Sequence, residues 1–459
     1  MSHIINEDAI LTFLNDTGEP SFAEVQRVLH KSANLERLDL SDVAVLLKTT
    51  DPVSIENIFQ AAHQVKNAIY GNRIVFFAPL YISNHCINDC RYCGFRASNK
   101  IVRSMLSIGE VKSETKMLLM QGHKRILLVS GESYPAPKGL DYVFELIDAI
   151  YSVKYKENKI RRINVNIAPL DGNEFERLRL KPIGTYQLFQ ETYHRKTYTQ
   201  VHPTGPKSDY DYRLEGIDRA MKAGFEDVGL GVLFGLFDWR FEVMALLQHV
   251  ESLEKRFGVG PHTISVPRLE PAEGADLAMA PPAKVSDADF RKLIAILRLA
   301  VPYTGIILST REAAQLRREA LKLGVSQVSA GSRTNPGGYT SQKQGEQFSL
   351  GDYRTLDEVI YDLLKMDYLP SFCTACYRLG RTGLDFMEYA KPGDIKKKCG
   401  PNGLMTLKEY LTDFATPQVK ALGEMKLLEW TEDIEDQSIN EFLKKTFAQI
   451  DEGARDIFV

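Results

Sequence analysis

The sequence predicts an α/β protein: a complete (β/α)8 TIM barrel with a helical N-terminal extension and a mostly helical C-terminal domain. Eight strand-like runs alternate with helix-period segments across residues 74–332, and the alternation stops near Leu350. Strand–helix alternation implies right-handed parallel crossovers, and eight such units match a closed barrel. An open doubly wound sheet is the alternative architecture.

The predicted helices and strands follow from the periodicity of apolar residues and from capping residues at the helix ends. Four charged helical segments come first, at 8–15, 22–30, 41–47 and 55–68. The strands are expected at 74–83, 125–132, 163–170, 186–193, 228–236, 262–271, 305–310 and 327–332. Helical periodicity occurs between them at 111–121, 141–151, 214–222, 240–255, 289–299 and 312–323. Ser107 with Glu110 predicts a capping box, and Gly122, Gly224 and Gly324 stand where helices should end.

The C-terminal part predicts a different organisation. Residues 370–399 look loop-rich, and helices are expected at 406–414, 419–429 and 439–447. We therefore expect three domains: an extension at 1–72, a barrel at 73–349 and a C-terminal domain at 350–459.

Composition excludes several functional classes. The chain has 459 residues, with 57 basic and 60 acidic ones, for a net charge of −3. This balance argues against nucleic acid or an anionic membrane as a partner. The most apolar run, 228–239, is shorter than the ~20 residues that a spanning helix requires. With no basic, apolar leader at the N-terminus, a cytoplasmic protein is expected.

Cysteine placement is the most informative feature. All six cysteines fall in two triplets, one of Cys86, Cys90 and Cys93, the other of Cys373, Cys376 and Cys399. In a reducing compartment, close spacing favours thiolates that converge on metal over disulfides. A structural zinc site normally has four ligands, whereas each triplet leaves one position open. Iron–sulfur clusters are also held by thiolates, and a cluster with three cysteines has one iron free for another molecule.

The first triplet directly follows the first predicted strand, where barrels carry their active sites. In the run Cys86-x-x-x-Cys90-Arg91-Tyr92-Cys93, the aromatic Tyr92 can pack beside a bound purine. This motif resembles the signature of the radical S-adenosylmethionine (SAM) superfamily. The alternative interpretation of the motif is a loop that binds a structural zinc ion. The resemblance implies a 4Fe–4S cluster whose free iron chelates SAM. One electron then cleaves SAM to methionine and a 5′-deoxyadenosyl radical, which abstracts a substrate hydrogen.

Later strand ends supply candidate SAM contacts. The second strand ends in Ser130-Gly131-Glu132, similar to the superfamily's Gly-Gly-Glu motif with Ser in the first place. Glu191 resembles a SAM-contacting acid, and Arg213 can pair with the SAM carboxylate; both could instead form an ordinary surface salt bridge. Gly231, in the fifth strand, would let adenine approach the backbone or would merely allow tight packing.

The second triplet narrows the resemblance. Cys373-Thr374-Ala375-Cys376, followed by Cys399-Gly400-Pro401-Asn402, resembles the tyrosine lyases of FeFe-hydrogenase maturation, the HydG family. That family implies a lyase that uses SAM to split tyrosine at the Cα–Cβ bond, giving p-cresol and dehydroglycine. Dehydroglycine yields carbon monoxide and cyanide, which are assembled into an Fe(CO)2CN unit on an extra iron at an auxiliary iron–sulfur cluster.

The sixth strand offers a physical check on this resemblance. His262 opens it and should lie at the mouth opposite the first cysteine loop. Alternate strand residues share a face. If that face points inward, His262 reaches the C-terminal domain, and Arg268 and Glu270 line a polar interior or form a buried ion pair. The resemblance implies that His262 ligates the extra iron, although a lone histidine is more often a packed or capping residue.

Tyrosine requires a group that binds its carboxylate. Arginine binds carboxylates with two parallel hydrogen bonds. Arg311 follows the seventh strand and is the preferred candidate, with Arg333 after the eighth strand as the second. Either arginine could instead form a helix-end salt bridge.

The resemblance also implies partners: L-tyrosine, a free cysteine ligand at the auxiliary cluster, other hydrogenase maturation proteins, and an electron donor such as ferredoxin or flavodoxin. Two other functions compete with this interpretation. The tyrosine lyase of thiazole biosynthesis, 2-iminoacetate synthase, has a similar barrel but stops at dehydroglycine and lacks the second cluster. A non-catalytic iron–sulfur scaffold would explain two metal sites but not the polar strand ends.

Overall fold

The computed structural model describes residues 4–133, 139–341 and 345–459. Four helices precede the first strand: α1 (Glu7–Asp16), α2 (Phe22–Ala33), α3 (Leu40–Lys48) and α4 (Pro52–Tyr70). A polar side chain before each one caps it by accepting a backbone N–H, which satisfies a donor that the helix cannot pair. These helices pack against one another and against the helices that follow the barrel's fifth and sixth strands.

The strands among the described residues are β1 (Arg73–Ser83), β2 (Arg125–Ser130), β3 (Lys154–Tyr155), β4 (Asn158–Lys159), β5 (Arg162–Asn166), β6 (Tyr186–Glu191), β7 (Val228–Val232), β8 (Thr263–Ser265), β9 (Gly305–Leu308), β10 (Gln327–Ser329) and β11 (Leu369–Ser371). Eight of them, β1, β2 and β5 to β10, pair in parallel in chain order, and β10 pairs with β1. The sheet is therefore closed, and the predicted (β/α)8 barrel is confirmed. The hairpin β3–β4 is a separate antiparallel pair.

The barrel helices and the short helices near them are α5 (Ile108–Met120), α6 (Leu140–Ser152), α7 (Gly172–Arg179), α8 (Arg195–Val201), α9 (Tyr210–Leu214), α10 (Gly216–Lys222), α11 (Trp239–Phe257), α12 (Asp276–Met279), α13 (Asp287–Ala300) and α14 (Ala314–Lys322), with a 3-10 turn at Pro206–Ser208. The capping box of Ser107 and Glu110 is present. Gly122, Gly224 and Gly324 have φ values of 95°, 93° and 131°, so each occupies the left-handed region expected after a helix.

The strands are shorter than the sequence predicts at their carboxyl ends. The sixth was expected at 262–271, but β8 covers only Thr263–Ser265, with an isolated bridge between Phe234 and Arg268 beyond it. Pro267 has no N–H to donate to a neighbouring strand, which limits regular pairing. The chain continues from these ends into the loops that form the upper mouth.

Because successive side chains of a strand point to opposite faces, the barrel strands place one set in the outer core and the other set in the barrel interior. In β1, Ile74, Phe76, Ala78 and Leu80 are fully buried in the main hydrophobic core. The intervening residues, such as Phe77, face the barrel interior. The outer faces of the strands thus hold the helices, and the inner faces remain available for a site.

The C-terminal helices are α15 (Leu356–Lys365), α16 (Ala375–Arg378), α17 (Gly383–Ala390), α18 (Ile395–Asp413), α19 (Pro417–Glu432) and α20 (Gln437–Asp451). The expectation of a loop-rich 370–399 is partly wrong, because α16, α17 and the start of α18 lie within it. β11 pairs with Arg73–Val75 at the start of β1, which brings the following Cys373 beneath the barrel. Across the described residues, no helix is long and apolar enough to cross a membrane.

Candidate functional site

The first cysteine triplet lies at the upper mouth, in the loop after β1. Cys90 is 5% exposed, and Cys86 and Cys93 are half-buried, all three as free thiols. Burial raises the pKa of Cys93 to about 11, so an external positive charge such as bound iron is needed to hold it as thiolate at neutral pH. Asn88 ties the loop to the next strand by donating to Glu132 Oε2 at 2.6 Å.

Gly131 brings the cysteine loop close to the end of β2. An added Cβ would overlap the backbone carbonyl oxygen of His85 and lie 3.4 Å from the Cβ of Cys86. The backbone N–H of Gly131 donates to Ser83 O at 2.9 Å. Gly131 is thus required for loop packing, a role the sequence motif does not reveal.

Tyr92 is held by a histidine that sequence reasoning missed. Its hydroxyl lies 2.7 Å from His202 Nε2, and His202 Nδ1 lies 2.9 Å from Tyr198 O. The carbonyl can only accept, so Nδ1 carries the hydrogen and Nε2 accepts from the Tyr92 hydroxyl. This chain of hydrogen bonds fixes the ring of Tyr92 against the cavity that it lines.

Four charged side chains form a buried network at the strand ends. Arg213 Nη1 donates to Glu132 Oε1 at 2.7 Å, and Arg213 Nη2 lies 3.7 Å from Glu191 Oε1. Lys207, which the sequence did not single out, donates to Glu191 Oε1 at 2.7 Å. Burial opposes ionisation of Glu132, but the charges of Arg213 and Lys207 together with the hydrogen bonds from Arg213 and Asn88 outweigh it, so the pKa of Glu132 is lowered. The network therefore presents ionised groups of both signs, which suits a zwitterionic ligand.

Glu191 of this network lines a cavity of about 150 Å³ inside the upper barrel, together with Tyr92 and Cys93. Arg311 lines it, with its guanidinium carbon 3.2 Å from the ring centroid of Phe348. Arg333 is exposed, is not among the lining residues and donates to Ser332 O. Of the two candidate arginines, only Arg311 faces the cavity. An added Cβ on Gly231 would collide with the Phe189 ring at 2.5 Å, so the space beside Gly231 is taken by this ring.

Neither Arg268 nor Glu270 is among the residues that line the two cavities, and for Arg268 the structure favours the alternative of an ion pair. Ser265, the last residue of β8, and Pro267, two residues after it, line the upper cavity instead, because residues two apart in an extended chain share a face. Arg268 forms ion pairs with the buried Glu312 and, at 2.8 Å, with Asp287. Burial and the nearby Glu312 raise the pKa of Glu270 to about 7.

The second triplet lies beneath the barrel, around a cavity of about 40 Å³. Cys373, Cys376 and Cys399 line it together with His262, although Cys399 is in α18 and far from the others along the chain. The Cys376 thiol donates to Cys399, so the pKa of Cys399 is lowered and that of Cys376 is raised. Arg73 reinforces the first shift with its positive charge.

His262 stands where the sequence predicts, at the lower mouth. Its ring is 9% exposed and packs 4.5 Å from the Phe386 ring, centroid to centroid. Nδ1 lies 3.5 Å from Asp227 Oδ1. Nδ1 has no hydrogen-bond partner in the described structure, and an imidazole nitrogen without a partner can ligate a metal.

The lower donor set fits an iron–sulfur cluster by its chemistry. Three free thiols and an imidazole are iron ligands, and buried Arg73 Nε, Arg125 Nε and Thr374 Oγ1 have no hydrogen-bond partner within the described part of the chain. No group of three or more His, Cys, Asp or Glu side chains in residues 4–133, 139–341 and 345–459 could hold a single metal ion. A cluster spreads its thiolates over several irons and does not need that convergence.

Polar side chains face the barrel interior beside the cavities: Gln187 lines the upper one, and Thr263 is next in the chain to His262, which lines the lower one. Gln187 and Thr263 are buried, and Gln187 Oε1 and Thr263 Oγ1 have no partner in the described structure. An added Cβ on Gly229 would lie 2.7 Å from Thr263 Oγ1 and 2.8 Å from Gln187 Cγ. Buried polar atoms normally bind a partner or water, so the middle of this barrel suits polar contents.

Comparisons with known proteins agree with this architecture. Residues 80–247 match the Radical SAM superfamily, and residues 265–369 match the Biotin and Thiamin Synthesis associated domain. The 2-iminoacetate synthase of Escherichia coli (strain K12) is 33% identical over 350 residues, which cover 76% of this chain and 89% of that protein.

Two solved structures match nearly the full length. The chain is 46% identical to a crystal structure of HydG, a maturase of the FeFe-hydrogenase, with a TM-score of 0.97 and complete coverage of both chains. HydG from Carboxydothermus hydrogenoformans is 42% identical with a TM-score of 0.85, over 96% of this chain and 97% of that one. A radical SAM domain implies a 4Fe–4S cluster and SAM, which the upper triplet and its charged network fit. This chain therefore belongs to the radical SAM superfamily and, within it, to the HydG family of hydrogenase maturases.

Proposed function

We propose that this protein is a tyrosine lyase that splits the Cα–Cβ bond of L-tyrosine to p-cresol and dehydroglycine. It then converts dehydroglycine to carbon monoxide and cyanide and builds an Fe(CO)2CN unit for the hydrogenase active site. One observation carries the proposal: three cysteines and His262 surround a second cavity, at the mouth opposite the first cysteine loop. Two separate donor sets on one barrel support two separate chemical stages.

At the upper site, the chain binds and orients the reactants. The segment Ser130-Gly131-Glu132 would contact the amino group of SAM, Arg213 would pair with its carboxylate, Glu191 would make a further polar contact, and Tyr92 would pack beside the adenine. Arg311 binds the tyrosine carboxylate as a charged fork from the cavity wall. A reduced cluster held by Cys86, Cys90 and Cys93 would supply the electron for SAM cleavage, and the residues around the cavity would orient the tyrosine amino group for the loss of a hydrogen.

At the lower site, Cys373, Cys376 and Cys399 would hold the auxiliary cluster, and His262 with a free cysteine would ligate its extra iron. The buried Arg73 and Arg125 supply positive charge to an anionic centre. The product passes to hydrogenase maturation proteins in the cytoplasm, and ferredoxin or flavodoxin supplies electrons.

Anaerobic turnover tests the first stage. Reconstituted, reduced protein with SAM and tyrosine is expected to release p-cresol, carbon monoxide and cyanide, measured by chromatography and infrared spectroscopy. A preparation with both clusters loaded that makes no p-cresol would reject the lyase activity.

The double variant Cys373→Ser with Cys376→Ser tests the second stage. It is expected to keep p-cresol formation and lose the iron–carbonyl product, because only the lower donor set changes. An unchanged yield of iron–carbonyl would contradict a role for the auxiliary cluster.

The thiazole-type tyrosine lyase is the second candidate function, favoured by the 33% identity to 2-iminoacetate synthase. It predicts dehydroglycine as the final product from the unaltered protein.

A further inference from the structure

The backbone at Glu191 adopts a conformation that side chains other than glycine rarely take. Its φ is +72°, in the left-handed region. The register of β6 against β7 shifts between Phe189 and Glu191, so the strand is irregular at this point. Such strain persists only where the surroundings hold it, and it concentrates at functional sites.

The strained backbone directs a carboxylate to the upper site. Glu191 lines the upper cavity, and its Oε1 accepts from Lys207 and faces Arg213. The direction of the Glu191 side chain is set by its backbone, so a return of φ to the usual negative range would move the carboxylate relative to Lys207 and Arg213. The position of Glu191 therefore depends on what fixes the next residues.

Glu242, in the first turn of α11, fixes those residues. It is 1% exposed; its Oε2 accepts from the backbone N–H of Tyr193 at 2.8 Å, and its Oε1 accepts from the Thr192 hydroxyl. Seven residues later on the same helix, His249 Nδ1 lies 2.9 Å from the Tyr193 hydroxyl. Helix α11 thus holds the segment directly after Glu191 at two points.

The backbone N–H of Tyr193 requires a hydrogen-bond acceptor because β6 ends two residues before it. β6 ends at Glu191, so the N–H of Tyr193 has no partner in the sheet although it is buried. A buried donor without an acceptor is unfavourable. Glu242 supplies acceptors to both Thr192 and Tyr193. An amide that accepts from Tyr193 would have to donate to the Thr192 hydroxyl, which already accepts from the His194 N–H at 3.3 Å, so the hydrogen of Thr192 would lose its acceptor.

We propose that Glu242 is a positioning residue for SAM binding, which acts by holding the strained backbone of Glu191 so that its carboxylate faces SAM. The inference rests on the proposed contact between Glu191 and SAM and is independent of tyrosine as substrate. Glu242 itself contacts neither SAM nor the reacting atoms.

The test compares Glu242→Gln with Glu254→Gln in the full-length, reconstituted protein. Glu254 lies on the same helix and accepts hydrogen bonds from Tyr303 and Arg37, away from both cavities. SAM is titrated against the electron paramagnetic resonance signal of the reduced first cluster, and 5′-deoxyadenosine formation gives KM and kcat. Iron content and melting temperature are measured for each variant.

Glu242→Gln is expected to raise the half-saturating SAM concentration by about 10- to 100-fold, the effect typical of a misplaced binding group, with unchanged iron content. At saturating SAM, kcat should fall less than KM rises. Glu254→Gln should leave SAM binding unchanged. Thr192→Val removes one of the two hydrogen bonds and should shift SAM binding in the same direction by less, which keeps the test valid if Glu242→Gln fails to fold.

A lower melting temperature with unchanged SAM titration in Glu242→Gln or Thr192→Val would overturn the inference, because a purely structural residue behaves in this way. If unaltered protein binds SAM but makes no p-cresol, the tyrosine lyase proposal fails while the role of Glu242 is still decided by the titration.

Discussion

Charged side chains at the upper mouth work as a unit because each has a partner from a distant part of the chain. Glu132 follows β2, Glu191 ends β6, and Lys207 and Arg213 lie in the segment between α8 and α10. Burial strengthens the interaction between opposite charges and makes any unpaired one costly. The removal of one member should therefore disturb the others, even before a ligand binds.

Gly131→Ala should reduce loading of the first cluster. The added methyl group would overlap the His85 carbonyl, a backbone atom that cannot move aside cheaply, at a cost of roughly 1–3 kcal/mol. We expect less iron per chain and less of the cluster absorbance in the ultraviolet–visible spectrum. Gly172→Ala is the control, since nothing lies within 4 Å of its added Cβ. Equal iron content in both variants would refute this account of Gly131.

Arg311→Lys should weaken tyrosine binding. Lysine keeps the charge but loses the fork that binds both carboxylate oxygens, which corresponds to an increase in KM for tyrosine of about 10-fold or more. Arg333→Lys serves as the control, because Arg333 is outside the cavity. Steady-state p-cresol formation measures both. If Arg333→Lys alone raises the KM for tyrosine, Arg333 and not Arg311 binds the tyrosine carboxylate.

Helix α18 begins earlier in the chain than its local sequence predicts. The sequence predicts a helix only at 406–414, whereas α18 begins at Ile395 and contains Gly400 and Pro401, two residues that disfavour a helix interior. Gly403 allows close packing, since an added Cβ would lie 2.9 Å from Leu369 in β11. Contact with the barrel thus stabilises a helix that local propensity disfavours, and it places Cys399 opposite Cys376.

Helix α4 carries a buried lysine that should make stability depend on pH. Lys66 is fully buried, and burial lowers its pKa from 10.5 to about 7. Between pH 7 and 10.5 the unfolded chain binds this proton and the folded chain does not, so stability should rise with pH by up to ~1.4 kcal/mol per unit. Relative to Lys66→Met, the unaltered protein should gain stability from pH 7 to 8.5 in urea denaturation. Parallel pH profiles for the two proteins would show that Lys66 stays charged when buried.

For the molecule as a whole, the closed barrel sets two sites on one axis with polar residues between them. Along β8, Ser265 and Pro267 line the upper cavity, His262 lines the lower one, and Thr263 lies between. Barrels of eight strands are normally filled by branched apolar side chains. Buried Gln187 and Thr263, with Gly229 beside them, provide a polar middle instead.

Thr263→Leu should separate the two proposed stages. The larger apolar side chain fills the space between the cavities, so p-cresol should still form while carbon monoxide and cyanide fall by about 10-fold or more, as expected when a reactant is misplaced. Dehydroglycine that cannot pass downward should hydrolyse to glyoxylate and ammonia. Thr263→Val keeps the volume and should have a much smaller effect. Full carbon monoxide yield from Thr263→Leu would exclude transit through this point.

Local periodicity and cysteine spacing determined the fold class, the order of strands and helices, and the two donor triplets, because these features depend on residues that are neighbours in the chain. His262 could be placed at the lower mouth from its position at the start of a strand. Tertiary structure alone decided which side chains meet across long separations: Lys207 with Glu191, His202 with Tyr92, and Glu242 with the backbone after Glu191. These contacts, and the inward face of β8, depend on barrel closure and strand register, which no local pattern specifies.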